Sequence, residues 1–243
     1  MTYNELFIAV KNYLQNDFPN NTWTNVAGTG TTTSDGTEQI NLFITQAEER
    51  IYNTVQIPPL RKNVTGVTSS GNKYLSCPPD FLSVFSMAVI EDAGTANENY
   101  EYLLNKDVNF IRAAYPNSTS TGLPQYYALF GPTVASGTIT DELSFILGPT
   151  PDAAYNVELH YYYYPESITV ASDGRTWLGD NYSPVLLYGA MLEAYIFLKG
   201  EVDMMATYKG KYDEALAQLN RLGTGLERGD AYRDGQAKIK VNP

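Results

Sequence analysis

Apolar residues at Ile40, Phe43, Ile44, Ala47, Ile51 and Val55 fall at i, i+3, i+4, i+7, i+11 and i+15, which is one face of a single helix. Ser34 or Thr37 can cap its start, with Glu38 in the first turn. Pro58-Pro59 lacks backbone donors and fixes φ, so the helix must end at Gln56 or Ile57. Gln46, Glu48, Glu49 and Gln56 lie off the apolar face. Burial of each large member of that face contributes roughly 1.5–3 kcal/mol. An earlier helix is expected over Tyr3 to Asn16, with Leu6, Ile8, Ala9, Val10, Tyr13 and Leu14 as its apolar side and Pro19 as its stop. Between the two, Asn25 to Asp35 reads as a Gly/Thr-rich surface loop. Its Gly28-Thr29-Gly30 lacks the lysine of a phosphate-binding loop.

From Leu60 the period changes. Arg61 to Val67 alternates weakly, Ser69-Ser70-Gly71-Asn72 is a turn cluster, and Lys73 to Ser76 is a candidate strand. Phe81 to Ile90 is an apolar run rich in β-branched and aromatic residues, which predicts a buried strand. A short helix is expected over Leu103 to Ala114. Strands follow at Gln125 to Phe130, Glu142 to Leu147 and Tyr155 to Tyr164, separated by Gly131-Pro132 and Gly148-Pro149. The last strand carries Val157, Leu159, Tyr161 and Tyr163 on one face and Glu158, His160, Tyr162 and Tyr164 on the other. Helical periodicity then returns. Ser183 can cap and Pro184 suits the first turn of a helix running to about Lys199. A further helix over Val202 to Leu222 carries the stripe Met205, Tyr208, Tyr212, Leu216 and Leu219, and Gly223-Thr224-Gly225 is expected to end it.

The pattern predicts an α+β protein: an antiparallel helical bundle (1–59 and 172–222) with an inserted antiparallel β-rich domain (60–171) and an extended C-terminal arm (223–243). The arm is Gly-rich and nearly free of large apolar groups. It carries Arg228, Arg233, Lys238 and Lys240 against Glu227, Asp230 and Asp234, so it is expected to order only on a partner.

Composition narrows the function. A net charge of −11 opposes gripping DNA by its phosphates, which needs clustered Lys and Arg. The 20 tyrosines suit interfaces as well as cores. The N-terminal residues lack the basic and apolar pattern of a signal peptide, and no apolar run approaches a membrane span, so synthesis in the host cytoplasm is expected. One cysteine, Cys77, excludes an internal disulfide. One histidine, His160, in an expected strand, gives neither a metal-ligand set nor a base for Cys77. There is no Gly-x-Ser-x-Gly or His-Glu-x-x-His motif. The adjacent carboxylates Glu48-Glu49, Glu91-Asp92 and Asp141-Glu142 point apart or lie near strand ends. The expectation is no enzyme, no metal and no cofactor. A hydrolase using carboxylates and a carbohydrate-binding, adhesin-like module on tyrosine-rich strands remain as alternatives.

Several segments, in order, resemble the adaptor (head-to-tail connector, or tail tubular connector) family of tailed bacteriophages. Ala47-Glu48-Glu49-Arg50-Ile51-Tyr52 resembles a helix of that family, and Tyr74 to Leu82 resembles its proline-containing strand element, with Cys77 where an apolar residue and proline are more usual. Gly122 to Ala128, Leu147 to Pro151, Tyr161 to Pro165 and Leu187 to Lys199 follow in the same order. The Gly/Thr loop at Asn25 to Asp35 is unusual for the family. The resemblance implies a structural virion protein at the head-to-tail junction. It implies a ring, twelvefold to match the portal, that connects the portal to the nozzle or another tail protein and lets the viral DNA pass through its channel. It also implies portal docking by the C-terminal arm, here with Arg228, Tyr232, Arg233, Lys238 and Lys240. A stopper or tail-tube protein is the alternative within the virion.

Overall fold

The computed structural model describes residues 1–24, 31–117, 119–131, 133–135, 138–141 and 143–227. In chain order the elements begin with α1 (Tyr3–Leu14), β1 (Asn21–Thr24), β2 (Thr31–Ser34) and α2 (Gly36–Thr54). A short 3₁₀ turn at Pro58–Leu60 leads into β3 (Arg61–Val67), β4 (Tyr74–Ser76), β5 (Phe81–Glu91), β6 (Asn99–Tyr102), β7 (Leu104–Asn105) and α3 (Val108–Ala114). The strands β8 (Tyr126–Phe130), β9 (Thr133–Ala135), β10 (Thr138–Asp141), β11 (Ser144–Gly148) and β12 (Asn156–Tyr163) follow. The described chain ends in α4 (Trp177–Asn181), α5 (Ser183–Phe197) and α6 (Val202–Glu227). Helix and antiparallel-rich sheet are both present, as an α+β chain requires. The chain separates into two compact units, one of residues 1–59 and 165–243 and one of residues 60–164.

The helical unit is organised by α5. Val185, Leu186, Leu187, Gly189, Ala190, Met191, Leu192 and Ala194 are all buried on it, and a helix that is apolar nearly all round belongs inside. α1, α2, α4 and α6 pack against it. The α2 face read from the sequence is buried throughout, from Ile40 to Val55. Its cap is Asp35, not Ser34 or Thr37: the Asp35 carboxylate accepts from the Glu38 amide at 2.7 Å, and Glu38 returns a bond to the Asp35 amide. Gly189 brings α5 close to two neighbours. A Cβ there would meet the Ala47 methyl on α2 at 3.0 Å and the Tyr212 ring on α6 at 3.3 Å.

Several expectations are corrected. The Asn25 to Asp35 loop is flanked by structure, because β1 and β2 pair antiparallel with Asn21 opposite Ser34 and Thr24 opposite Thr31; residues 25–30 lie outside the described residues. Ser183 is inside α5, whose cap residue Tyr182 makes no side-chain capping bond. Ile8 and Tyr13 do not share the buried side of α1, which seals only Leu6 and Val10. Gly223-Thr224-Gly225 does not end α6, which continues to Glu227. Gly223 is buried and sits directly on the Ile57 side chain, so it serves close packing and not helix termination. An extended segment from residue 223 is thereby excluded up to Glu227.

The β-rich unit has two four-stranded sheets around one core, with β9 and β10 as a separate two-stranded pair. One sheet has the order β3-β12-β5-β6, all antiparallel; the other has the order β4-β11-β8-β7, with β7 parallel to β8. Met87, Val89, Val157, Leu159 and Tyr161 from the first sheet meet Tyr127, Phe145 and Leu147 from the second. On the far side of the second sheet, α3 covers Ala128 and Ile146 with Ile111. The predicted helix at Leu103 to Ala114 is shorter than expected, because Leu103 belongs to the core and Leu104–Asn105 joins β8. The alternation of β12 holds for Val157, Leu159 and Tyr161. Register shifts at His160/Tyr161 and Tyr162/Tyr163 then also bury Tyr162.

Candidate functional site

The residues with catalytic potential are dispersed. His160 projects from the outer face of its sheet, within 3.3 Å of the Ser86 hydroxyl and 4.0 Å of Glu158. Cys77 packs against the sandwich core, and its amide donates to Leu143. No group of three or more His, Cys, Asp or Glu side chains among the described residues could hold a metal ion. Glu48 and Glu49 do point apart, but Glu48 is buried, not solvated. It accepts from the Ile168 amide at 3.1 Å and fastens the segment before α4 to α2. On the same helix Arg50 pairs with Glu193 of α5. The portal-docking candidates Arg228, Tyr232, Arg233, Lys238 and Lys240 lie outside the described residues.

Sequence reading missed a second, half-buried carboxylate arrangement. Asp80, in the Pro78-Pro79-Asp80-Phe81 element, accepts from Lys62 Nζ at 2.7 Å and from the Tyr161 hydroxyl at 2.8 Å. It joins the β5 entry, β3 and β12. Burial opposes its ionisation, but the Lys62 ammonium and the Tyr161 hydroxyl outweigh burial and hold its carboxyl below the usual range. A folded-state pKa held low adds stability that is present above about pH 3.9 and lost as pH falls through the folded value. Asp80→Ala leaves the buried Tyr161 hydroxyl without its acceptor. It is expected to cost about 1–3 kcal/mol and to flatten the acid limb of stability, measured by urea unfolding between neutral and acid pH.

The surface of the β-rich unit has an unusual chemistry. Its cations are Arg61, Lys62, Lys73, Lys106 and Arg112, and each lies over an aromatic ring. The Arg61 guanidinium stacks 4.0 Å above Phe85 and bonds to the Tyr162 hydroxyl. Lys106 covers Phe110, and Arg112 covers Phe130. Phe85, Tyr74, Phe110 and Phe130 are all exposed. Arg and large aromatics are the residues that dominate protein–protein contacts. The surface of this unit thus has the chemistry of protein contact surfaces.

The chain matches the family described as SU10 adaptor protein over residues 1–237. It belongs to that family. Comparison with curated proteins finds no match. The adaptor is therefore a phage virion component of the structural connector kind, and its family associates with portal and tail proteins and oligomerises. The order of motifs from Ile40 to Leu222 pointed to the right family. No helix among the adaptor's described residues is long and apolar enough to cross a membrane.

Proposed function

We propose that this adaptor forms a ring, twelvefold to match the portal, that seats on the portal protein on one side and receives the nozzle or another tail protein on the other. The ring extends the channel through which the viral DNA leaves the head. The family match across residues 1–237 carries this reading. Charge supports it: a chain of net −11 repels phosphates, so DNA slides past a wall that does not hold it. The helices of residues 1–59 and 165–227 build the ring as an antiparallel bundle, and the inserted β domain, residues 60–164, faces outward or towards the tail. Arg228, Tyr232, Arg233, Lys238 and Lys240 dock to the portal as an extended arm.

Imaging the purified protein with and without portal tests the ring: closed rings are expected on the portal, and a monomer indifferent to portal rejects the reading. The arm has its own test. Deleting residues 228–243 is expected to weaken portal binding about tenfold or more, the equivalent of a single charge-assisted hydrogen bond. Unchanged affinity removes those residues from docking.

A further inference from the structure

Among the described residues, the sheet β3-β12-β5-β6 has two open edges of different character. β3 is seven residues long and exposed along nearly all of it. From Asn63 to Val67 it has no charge and no proline, the usual guards of a free edge. β6 is a short edge of sequence Asn99-Tyr100-Glu101-Tyr102, with Tyr100 and Tyr102 exposed. The sheet has an even number of strands and every pair is antiparallel. β3 and β6 therefore run in opposite directions. A second copy placed beside the first with only a small rotation brings its β3 antiparallel to the first copy's β6, which is the pairing the sheet already uses.

Charge fixes the register. Arg61, Asn63, Thr65 and Val67 share the outer face with His160 and Glu158, while Lys62 and Val64 lie opposite Tyr161 and Leu159 on the core side. Tyr100 and Tyr102 stand on the outer face opposite Ile90 and Ala88, and Glu101 stands on the core side opposite Val89. Setting Glu101 against the second copy's Lys62 matches both faces at once. Tyr102 then meets Arg61, and Tyr100 meets Asn63. The three pairs are an ion pair in which Glu101 shares Lys62 with Asp80, a ring set against the Arg61 guanidinium that already covers Phe85, and a hydroxyl beside the Asn63 amide that already donates to Glu158.

We propose that copies of this chain join edge to edge, β6 of one against β3 of the next, so that one antiparallel sheet runs on from subunit to subunit. The inference rests on the ring reading above, and names the contact that propagates it. The contact is heterologous, each subunit giving one edge and receiving the other, which is what a closing ring needs. Pairing β3 with β3 would instead stop at a dimer.

Cysteine trapping tests it on the full chain with Cys77→Ser. Within one chain the two edges are three strand spacings apart, about 14 Å, too far for a disulfide. Tyr100→Cys chains mixed with Asn63→Cys chains should form covalent dimers on mild oxidation, and the variant carrying both changes should give a ladder of linked oligomers. Tyr100→Cys mixed with Val67→Cys, on the same face but about 13 Å further along the strand, should give little. As an independent measurement, Glu101→Lys should weaken self-association about fivefold at low salt by facing Lys62 with a like charge. Rings that form on the portal without the Tyr100–Asn63 crosslink, or with equal crosslinking to Val67, overturn the edge pairing and leave the ring reading standing. A specific crosslink with no closed ring keeps the pairing and removes the ring. Neither rings nor crosslinks removes both.

Discussion

Phe145→Ala is expected to lower the stability of the β-rich unit by about 3–5 kcal/mol. Phe145 is fully buried on β11 and meets Phe81 and Tyr127 edge-on, with ring centroids 5.5 and 5.9 Å away. Phe81 belongs to one sheet and Tyr127 to the other. Removing the ring between them withdraws both aromatic contacts and opens a cavity where the two sheets meet, and close-packed surroundings relax only in part. Urea unfolding followed by far-UV circular dichroism measures the loss. Phe145→Leu, which returns most of the volume, should recover the larger share. A loss under about 1 kcal/mol for the alanine variant would mean that the two sheets do not share this core.

The second large effect concerns Glu48, and its sign depends on pH. Burial pushes the Glu48 carboxyl above the usual carboxylate range, against the opposing pull of its bonds with the Ser167 hydroxyl and the Ile168 amide. A pKa raised by folding means that the folded state holds its proton more tightly than the unfolded chain does. Stability from this group is complete below the unfolded value of about 4.3 and declines as pH rises through the folded value. One carboxyl oxygen of Glu48 has no hydrogen-bond partner among the described residues, which adds to the cost of ionising it. Glu48→Gln keeps an acceptor for the Ile168 amide and cannot ionise. It should be at least as stable as the parent at pH 7 and should lose the decline between weakly acid and neutral pH. Glu48→Ala leaves the Ile168 amide unsatisfied and should cost about 1–3 kcal/mol at any pH. A parent whose stability rises from pH 5 to 7 through this residue would contradict the burial.

How far the sequence specified these features follows from length and period. α2 was legible because six apolar positions repeat at helical spacing from Ile40 to Val55, before a double proline. β12 was legible from strict alternation. Glu48 was misplaced, although the signal existed: it stands four residues after Ile44 and eight after Ile40, on the edge of the same stripe, and a glutamate there is read as solvent-facing by default. β6, β7, β9 and β10 are two to four residues long and mostly polar, so no period exists to detect. β9 and β10 pair with each other, β6 pairs with the preceding β5, and β7 alone reaches forward to β8. Gly223 looked like punctuation because glycine usually ends helices, yet the contact that requires it, Ile57, lies 166 positions earlier. Asp80 was visible only as part of a family resemblance; its partners Lys62 and Tyr161 are brought to it by β3 and β12. No short motif spells out such a constellation.

The rings beneath cations bear on the time before assembly. A protein produced in many copies for one destination must stay dispersed until it arrives, although the surface destined for contact is the surface most prone to clump. A phenylalanine left bare is an adhesive spot; the same ring under an ammonium or guanidinium keeps a hydrated lid that swings aside on flexible methylenes. Phe85, Phe110, Phe130 and Tyr74 are all lidded in this way. Chance collisions meet wetted charge, whereas a partner bearing carboxylates can draw the lid to itself and reach the ring beneath. The β-rich unit thus carries its exposed rings under charge, which is expected to lower their tendency to clump before assembly.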